Sequence, residues 1–153
     1  MIQLKRTNSD DADFRTLLSL LDRDLAIRDG DEHAFYAQYN KIDTIKNIIV
    51  AYAENKAVGC GAFKEYEPAT VEIKRMYVLP EYRGQRIAAD ILSALELWAA
   101  ELHYKACILE TGKKQPEAIR LYRRSGYTVI PNYGQYAHVE NSVCMKRELE
   151  MMK

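Results

Sequence analysis

The sequence predicts a mixed α/β sandwich with a β–α–β crossover in its second half. Strand-like alternation at the start of the chain and in residues 45–66 predicts antiparallel β-structure. A long apolar stripe at helical spacing follows one strand and precedes another, which predicts the crossover. The chain has 153 residues, of which 48% are hydrophobic and 29% charged. This composition is globular, and the length is that of one ordinary domain, so we expect a single domain over residues 1–153.

The first half supplies a strand, two helices and a hairpin. "IQLKRT" alternates like a strand, and "DDADFRTLLSLLDRDLAIRDG" begins with acids and places its leucines on one face. A short helix is predicted for "DEHAFYAQY". The segment "IKNIIVAYAENKAVGCGAFKEY" reads as two strands about a tight "ENK" turn.

The second half alternates strands and helices. "ATVEIKRMYVLP" is a long strand that Pro80 ends, because proline has no N–H for the ladder. The helix of the crossover runs from Gly84 to about His103. "KACILETG" is then a buried strand, "QPEAIRLYRRSG" a helix, and "YTVIP" and "NSVCMKREL" are two closing strands. Ligands of such folds usually bind where strands turn into helices.

Charge and cysteine content exclude several classes of protein. Twenty-two basic and 22 acidic residues cancel, so net charge does not favour a nucleic-acid partner. Neither the cysteines nor the histidines show metal or redox spacing, and we expect no metal site; they are Cys60, Cys107, Cys144, His33, His103 and His138. The charged start is unlike a signal peptide, and no apolar run approaches the ~20 residues of a membrane span. We expect a cytoplasmic protein with no membrane partner.

The stretch "PEYRGQRIAADIL" gathers positive charge at a helix start. The N-terminus of a helix is already positive, so acids rather than Arg83 and Arg86 are favoured there. A bound phosphate explains both arginines, and Gly84 lets the backbone approach that phosphate closely. Two alternatives remain open here. The arginines point into solvent at a cost of only tenths of a kcal/mol, or the arginine-rich helices belong to a nucleic-acid-binding module, with affinity that falls steeply with salt.

Two spaced motifs resemble the GNAT superfamily of acetyl-CoA-dependent N-acetyltransferases. They are "EIKRMYVLPEYRGQRIAADIL" and "ETGKKQPEAIRLYRRSGY", and the resemblance extends over residues 71–149. The phosphate-binding loop of the family reads Gln/Arg-x-x-Gly-x-Gly/Ala, and here it starts at Arg83 and ends at Ala88. Arg86 stands where the family has glycine, and we expect this residue in the first helical turn. The resemblance implies a mostly antiparallel sheet of six to seven strands, helices on both faces, and a splayed central strand pair.

The resemblance also implies the function. We expect transfer of an acetyl group from acetyl-CoA to a primary amine, on a small molecule, by direct attack in a ternary complex. No cysteine lies by a candidate base to form a covalent intermediate. The alternative is a non-catalytic GNAT-fold protein that binds acyl-CoA as a sensor or interaction partner. Proteins of this type are often homodimers, and the last strand is predicted to be an available edge.

Several residues take roles by this resemblance. Glu72 is the candidate base, and the alternative is that it is a strand glutamate that faces solvent. Tyr122 is the candidate acid that protonates the departing thiolate, and the alternative is that it is a tyrosine of the core. In "VEIKRMYV" charged and apolar residues stop alternating after Lys74, which favours a β-bulge in this strand. By the resemblance, such a bulge directs the amides near Met76 and Val78 to the thioester. An irregular run of buried residues explains the pattern almost as well. The predicted cofactor-binding residues are Met76, Tyr77, Val78, Arg83, Gly84, Gln85, Arg86, Ile87, Ala88, Ala89, Gln115 and Tyr122. Tyr133 and Tyr136 are the candidate acceptor-binding residues.

Overall fold

Seven strands form one sheet in the computed structural model, which describes residues 1–29 and 45–149. Three α-helices pack against it within these ranges. The elements are β1 (Ile2–Thr7), α1 (Ala12–Asp29), β2 (Asn47–Ala53), β3 (Lys56–Glu67), β4 (Thr70–Val78), α2 (Ile87–Glu101), β5 (Ala106–Gly112), α3 (Pro116–Arg124), β6 (Thr128–Ile130) and β7 (Ser142–Glu148). The helix predicted for "DEHAFYAQY", with His33, lies outside the described residues.

The strand order β1-β2-β3-β4-β5-β7-β6 confirms a mostly antiparallel sheet. Only β4 and β5 run parallel, and α2 joins them as the predicted crossover. The predicted free edge on the last strand is wrong, because β7 lies between β5 and β6. Cys144 and Met145 of β7 are fully buried, whereas β6 has three residues and is largely exposed. The more apolar strand therefore takes the interior position.

Helices cover both faces of the sheet, as predicted. Gly59 and Gly61 of β3 face α2, and a Cβ on Gly61 would lie 2.8 Å from Ile91 and 2.9 Å from Leu95. On the other face α1 packs over β3 and β4 through buried residues such as Phe14. None of the helices in the described part of the chain is long and apolar enough to cross a membrane.

A β-bulge in β4 is confirmed at residues 75 and 76. Cys60 pairs with Tyr77 and Ala62 with Lys74, so two residues of β4 stand opposite one residue of β3. Arg75 has a φ of 61°, the left-handed conformation that a bulge can impose. Beyond Ile73, β4 has no pairing with β5, which confirms the splayed central pair. The two strands part at this point and open the sheet.

Candidate active site

A groove of about 500 Å³ runs beside the N-terminus of α2. Its walls come from the end of β4, the loop before α2, and α3. Eleven of the twelve predicted cofactor-binding residues line it, and only Gln85, which is exposed, does not. The two helices of the sequence motifs, α2 and α3, thus share one groove, although 14 residues of chain from 102 to 115 separate them.

Backbone amides at the start of α2 form a row of unused donors. The first helical hydrogen bond runs from the N–H of Asp90 to the carbonyl of Arg86, at 3.0 Å. Among the described residues, no backbone carbonyl accepts from the amides of residues 84–89. Gly84 has a φ of 81°, and a Cβ added there would meet no atom within 4 Å. This end of the helix is positive, open and rich in donors, which suits a phosphate.

Arg86 does not lie in the first helical turn, and that expectation is wrong. It precedes the helix with φ 67° and ψ 14°, in the left-handed region. The chain turns sharply between the 3₁₀ turn Pro80–Tyr82 and α2, and this turn needs the conformation that glycine adopts freely. A side chain in this region costs about 1–2 kcal/mol. The exposed residue Arg86 nevertheless lines the groove.

Arg83 ties the loop to the end of β4. Its Nε donates to the carbonyl of Val78 at 2.9 Å, and its guanidinium carbon lies 5.5 Å from the Tyr77 ring centroid. One terminal nitrogen is 3.9 Å from the carboxylate of Asp24 in α1. The alternative in which both arginines simply point into solvent is therefore wrong for Arg83.

A smaller pocket of about 130 Å³ lies where β4 and β5 separate. Met76, Gln115 and Tyr122 line both this pocket and the groove, so the two form one continuous cleft. Glu72 lines the pocket and is 4% exposed, which makes the alternative of a solvent-facing glutamate wrong. The hydroxyl of Tyr133 donates to Oε2 of Glu72 at 2.7 Å.

Tyr122 stands at the junction of pocket and groove. It is 6% exposed, and its ring packs edge-on to that of Tyr127, with centroids 5.9 Å apart. Burial, together with the negative charge of Glu110, raises the pKa of the Tyr122 hydroxyl. The hydroxyl therefore stays protonated at neutral pH and has a proton to give.

The end of β4 directs an amide into the groove. The N–H of Leu79 donates to the carbonyl of Val58 at 2.8 Å, on the β3 side. Because successive amides of a strand point to opposite edges, the N–H of Val78 points away from β3. That edge is the one from which β5 has separated. Val78 thus presents a donor where a carbonyl oxygen can reach it.

Comparison with known proteins places the chain in a family. Residues 14–127 match the model of the acetyltransferase (GNAT) family. The chain belongs to this family. An IAA acetyltransferase of Azospirillum brasilense is 35% identical over 102 residues, which are 66% of this chain and 67% of that protein. The uncharacterized N-acetyltransferase YjgM of Escherichia coli is 38% identical over 106 residues, or 66% of this chain and 62% of YjgM.

Solved structures show the same GNAT fold. A protein named as an acyl-CoA N-acyltransferase from Klebsiella pneumoniae has a TM-score of 0.83 and 28% identity, with 98% of this chain and 99% of that chain covered. A phosphinothricin acetyltransferase of Sinorhizobium meliloti, solved in complex with AcCoA, has a TM-score of 0.71 and 20% identity, with 97% and 88% covered. The second likeness extends to the fold alone.

The groove of this GNAT protein fits the pyrophosphate of acetyl-CoA. The unused amides of residues 84–89 offer the donors, and the open space over Gly84 admits the phosphate oxygens. Within the described ranges, no three histidine, cysteine or acidic side chains are grouped to hold a metal ion.

The two predicted acceptor-binding tyrosines differ in position. Tyr136 is buried and lines the small pocket, whereas Tyr133 does not line it and instead donates a hydrogen bond to Glu72. Sequence reasoning missed Lys74 and Glu110, which line the pocket as well. The signal for Lys74 was its place two residues after Glu72 on one strand, because residues i and i+2 share a face.

Proposed function

We propose that this protein is an N-acetyltransferase that moves an acetyl group from acetyl-CoA to a primary amine of a small molecule, by direct attack in a ternary complex. One observation carries the proposal: a continuous cleft joins the row of free amides at α2 to a pocket with a buried carboxylate. We take residues 1–153 as one catalytic domain. Its described cysteines are buried free thiols, as in proteins of reducing compartments, and on that ground we place it in the cytoplasm.

In this proposal main-chain N–H groups bind the pyrophosphate of acetyl-CoA and polarise its thioester carbonyl. The amides of residues 84–89 hold the pyrophosphate with the helix dipole behind them, and Arg86 adds a charge at the rim. The N–H of Val78 faces the thioester oxygen, where negative charge develops during attack. Such fixed donors are often the largest single contribution to catalysis.

Glu72 and Tyr122 move the protons. An alkyl amine has a pKa near ~10.4 and is mostly charged at neutral pH, so it must lose a proton before it can attack. Glu72 accepts one hydrogen bond from Tyr133, and a carboxylate has about four acceptor sites, so it can also take the proton of the amine. A base of this kind contributes about 10²–10⁴-fold. Tyr122 gives its proton to the departing thiolate.

The size of the pocket supports a small acceptor group. It holds about 130 Å³, against about 500 Å³ for the groove, and pockets for drug-sized ligands hold about 300–1,000 Å³. Buried residues such as Glu72, Lys74 and Thr111 form its walls. Only a small part of the acceptor fits between the splayed strands.

Two measurements test the proposal. Acetyl-CoA at about 100 times its Kd should stabilise the fold by about 2.7 kcal/mol. For a domain of this size that raises Tm by about 5–11 °C. Thiol release with a panel of primary amines should then exceed hydrolysis, and Glu72→Gln should keep the Tm shift but lose about 10²-fold or more in rate.

Other outcomes favour the alternatives. Stabilisation by acetyl-CoA without thiol release from any amine would make the protein an acyl-CoA sensor. No stabilisation by acetyl-CoA, together with salt-sensitive stabilisation by oligonucleotides, would instead favour a nucleic-acid-binding module.

A further inference from the structure

The loop between β6 and β7 carries a tyrosine that contacts the candidate base but not the pocket. The hydroxyl of Tyr133 donates to Oε2 of Glu72 at 2.7 Å, whereas Tyr133 is not among the residues that line the small pocket. A side chain that does not line the pocket is badly placed to contact an acceptor there. The position of Tyr133 therefore favours an action on Glu72 over the acceptor-binding role predicted from the sequence.

A buried glutamate that acts as a base needs a partner that fixes its carboxylate. Glu72 is 4% exposed, so its carboxylate has little contact with water. The Nζ of Lys74 lies 3.8 Å from Oε1, and a charge beyond hydrogen-bond distance attracts the carboxylate without fixing its orientation. The hydrogen bond from Tyr133 is short, as bonds from a hydroxyl to a charged oxygen are, and it is directional. Of these two contacts, the one from Tyr133 sets the orientation of the carboxylate.

Tyr133 is itself held on two sides by aromatic rings. Its ring packs edge-on against Tyr66, with centroids 5.1 Å apart, and against Tyr136, with centroids 5.9 Å apart. Ring pairs of this kind contribute about 0.5–1.5 kcal/mol each. The side-chain amide of Asn132 donates to the carbonyl of Ser142 at 3.1 Å and ties the start of the loop to β7. The hydroxyl is thus placed by the packing of its own ring, as a positioning group requires.

The hydroxyl of Tyr133 stays a donor throughout the reaction. Burial and the negative charge of Glu72 both raise the pKa of Tyr133, so the hydroxyl is protonated at neutral pH. A phenol has one hydrogen to donate, and here it goes to Oε2. When Glu72 has taken the proton of an amine on its other oxygen, Oε2 is still an acceptor. The same hydrogen bond therefore holds Glu72 before and after proton transfer.

We infer that Tyr133 is a positioning residue for catalysis, which holds Oε2 of Glu72 so that Oε1 receives the proton of the acceptor amine. The inference rests on the proposed function, in which Glu72 is the base. The bond changes remain those of acetyl transfer: the N–C bond forms and the C–S bond breaks. The proton of the amine goes to Oε1 of Glu72, and the departing thiolate takes the proton of Tyr122. Tyr133 keeps its own proton, lines neither cavity, and acts through Glu72.

Tyr133→Phe removes the hydroxyl and keeps the ring in its aromatic contacts. With acetyl-CoA and the fastest primary amine of the panel, kcat should fall about tenfold, because a small misplacement of a catalytic group is costly. The KM values for acetyl-CoA and for the amine should stay within about twofold of wild type, because binding contacts are not removed. Calorimetric titration with acetyl-CoA counts the folded sites. Expressed per folded site, kcat is not lowered by partial misfolding of the variant.

The decisive measurement repeats this substitution in Glu72→Gln. The base is already absent there, so a residue that acts through it should change kcat by less than about twofold. A tyrosine that merely supports the fold would lower kcat by the same factor in both backgrounds. Tyr104→Phe is the matched control, because the hydroxyl of Tyr104 also donates to a glutamate, Glu65, at 2.8 Å, and Tyr104 lines neither cavity. This variant should keep the kcat of wild type.

Failure of the inference is separable from failure of the proposed function. An unchanged kcat in Tyr133→Phe, an equal loss in the two backgrounds, or an equal loss in Tyr104→Phe would overturn the inference alone. So would a raised KM for the amine at unchanged kcat, which would make Tyr133 an acceptor-binding residue. Turnover by Glu72→Gln at the rate of wild type would overturn both, and so would binding of acetyl-CoA without thiol release from any amine.

Discussion

Replacing Arg86 by glycine should stabilise the fold. Arg86 holds φ 67° just before α2, a conformation that costs about 1–2 kcal/mol for a residue with a Cβ. Glycine removes this cost but gives the unfolded chain more freedom, which offsets about 0.4–1 kcal/mol. The net gain in the free energy of unfolding is about 1 kcal/mol. For a domain of this size Tm should rise by about 2–4 °C.

Arg86→Ala separates backbone strain from charge. Alanine keeps a Cβ at φ 67° but removes the guanidinium, so its Tm should stay close to that of wild type. Both variants lose the charge that lines the groove, and an exposed ion pair is worth about 0.2–1 kcal/mol. The Kd for acetyl-CoA should therefore rise by up to about fivefold, and equally in both. Thermal melts and calorimetric titrations supply the two numbers.

Two results would refute this reasoning. If Arg86→Gly melts no higher than Arg86→Ala, the left-handed backbone stores no strain at this position. If the glycine variant binds acetyl-CoA much more weakly than the alanine variant, a backbone kept rigid by Arg86 matters for the amide row, and charge is the lesser effect.

Three further predictions concern the cleft, the core and the dependence on pH. Tyr122→Phe should lower kcat about 10²-fold with little change in KM for acetyl-CoA. Tyr127 lines neither cavity, and its hydroxyl donates a 2.8 Å hydrogen bond to buried Glu96, so Tyr127→Phe should keep kcat but lose about 1–3 kcal/mol of stability. Equal losses of kcat in the two variants would contradict the role of Tyr122 as acid. Burial raises the pKa of Glu96, so its ionisation disfavours the fold. The unfolded-state pKa of a glutamate is about 4.3, and the folded-state pKa of Glu96 is higher. The stability of wild type relative to Glu96→Gln should therefore fall as the pH rises through the range between these two pKa values. Urea titrations from pH 4 to 8 measure this difference, and the opposite slope would contradict the prediction. Gly61→Ala should cost about 1–3 kcal/mol, because its Cβ would lie 2.5 Å from a methionine sulfur, whereas at Gly112 the nearest atom is 3.6 Å away and alanine should be tolerated.

Local chemistry made much of the fold predictable from sequence. The "ENK" turn works because Glu54 and Asn55 both take positive φ, 48° and 71°, as a tight hairpin turn requires. The alternation of charged and apolar residues breaks after Lys74, and this break marked the bulge, because two residues of β4 there oppose one residue of β3. The apolar stripe of α2 predicted the crossover, although the helix starts at Ile87 rather than at Gly84.

Contacts between distant residues were not predictable in the same way. The hydrogen bond from Tyr133 to Glu72 joins residues 61 apart, and no local pattern announces it. The order of β7 and β6 depends on which strand buries more apolar surface against β5, which is a property of the whole sheet. The conformation of Arg86 is set by the turn that the loop must make, and its residue type argues against that conformation.

The bulge in β4 links the two halves of the proposed mechanism. Glu72 precedes it, where β4 still pairs with β5, and Val78 follows it, where that pairing has ended. A bulge bends and twists its strand, so this one insertion turns β4 away from β5 while β3 stays paired on the other side. The same strand therefore supplies a carboxylate to the small pocket and a free amide to the groove. Because both groups lie on one continuous strand, the bulge itself fixes their separation.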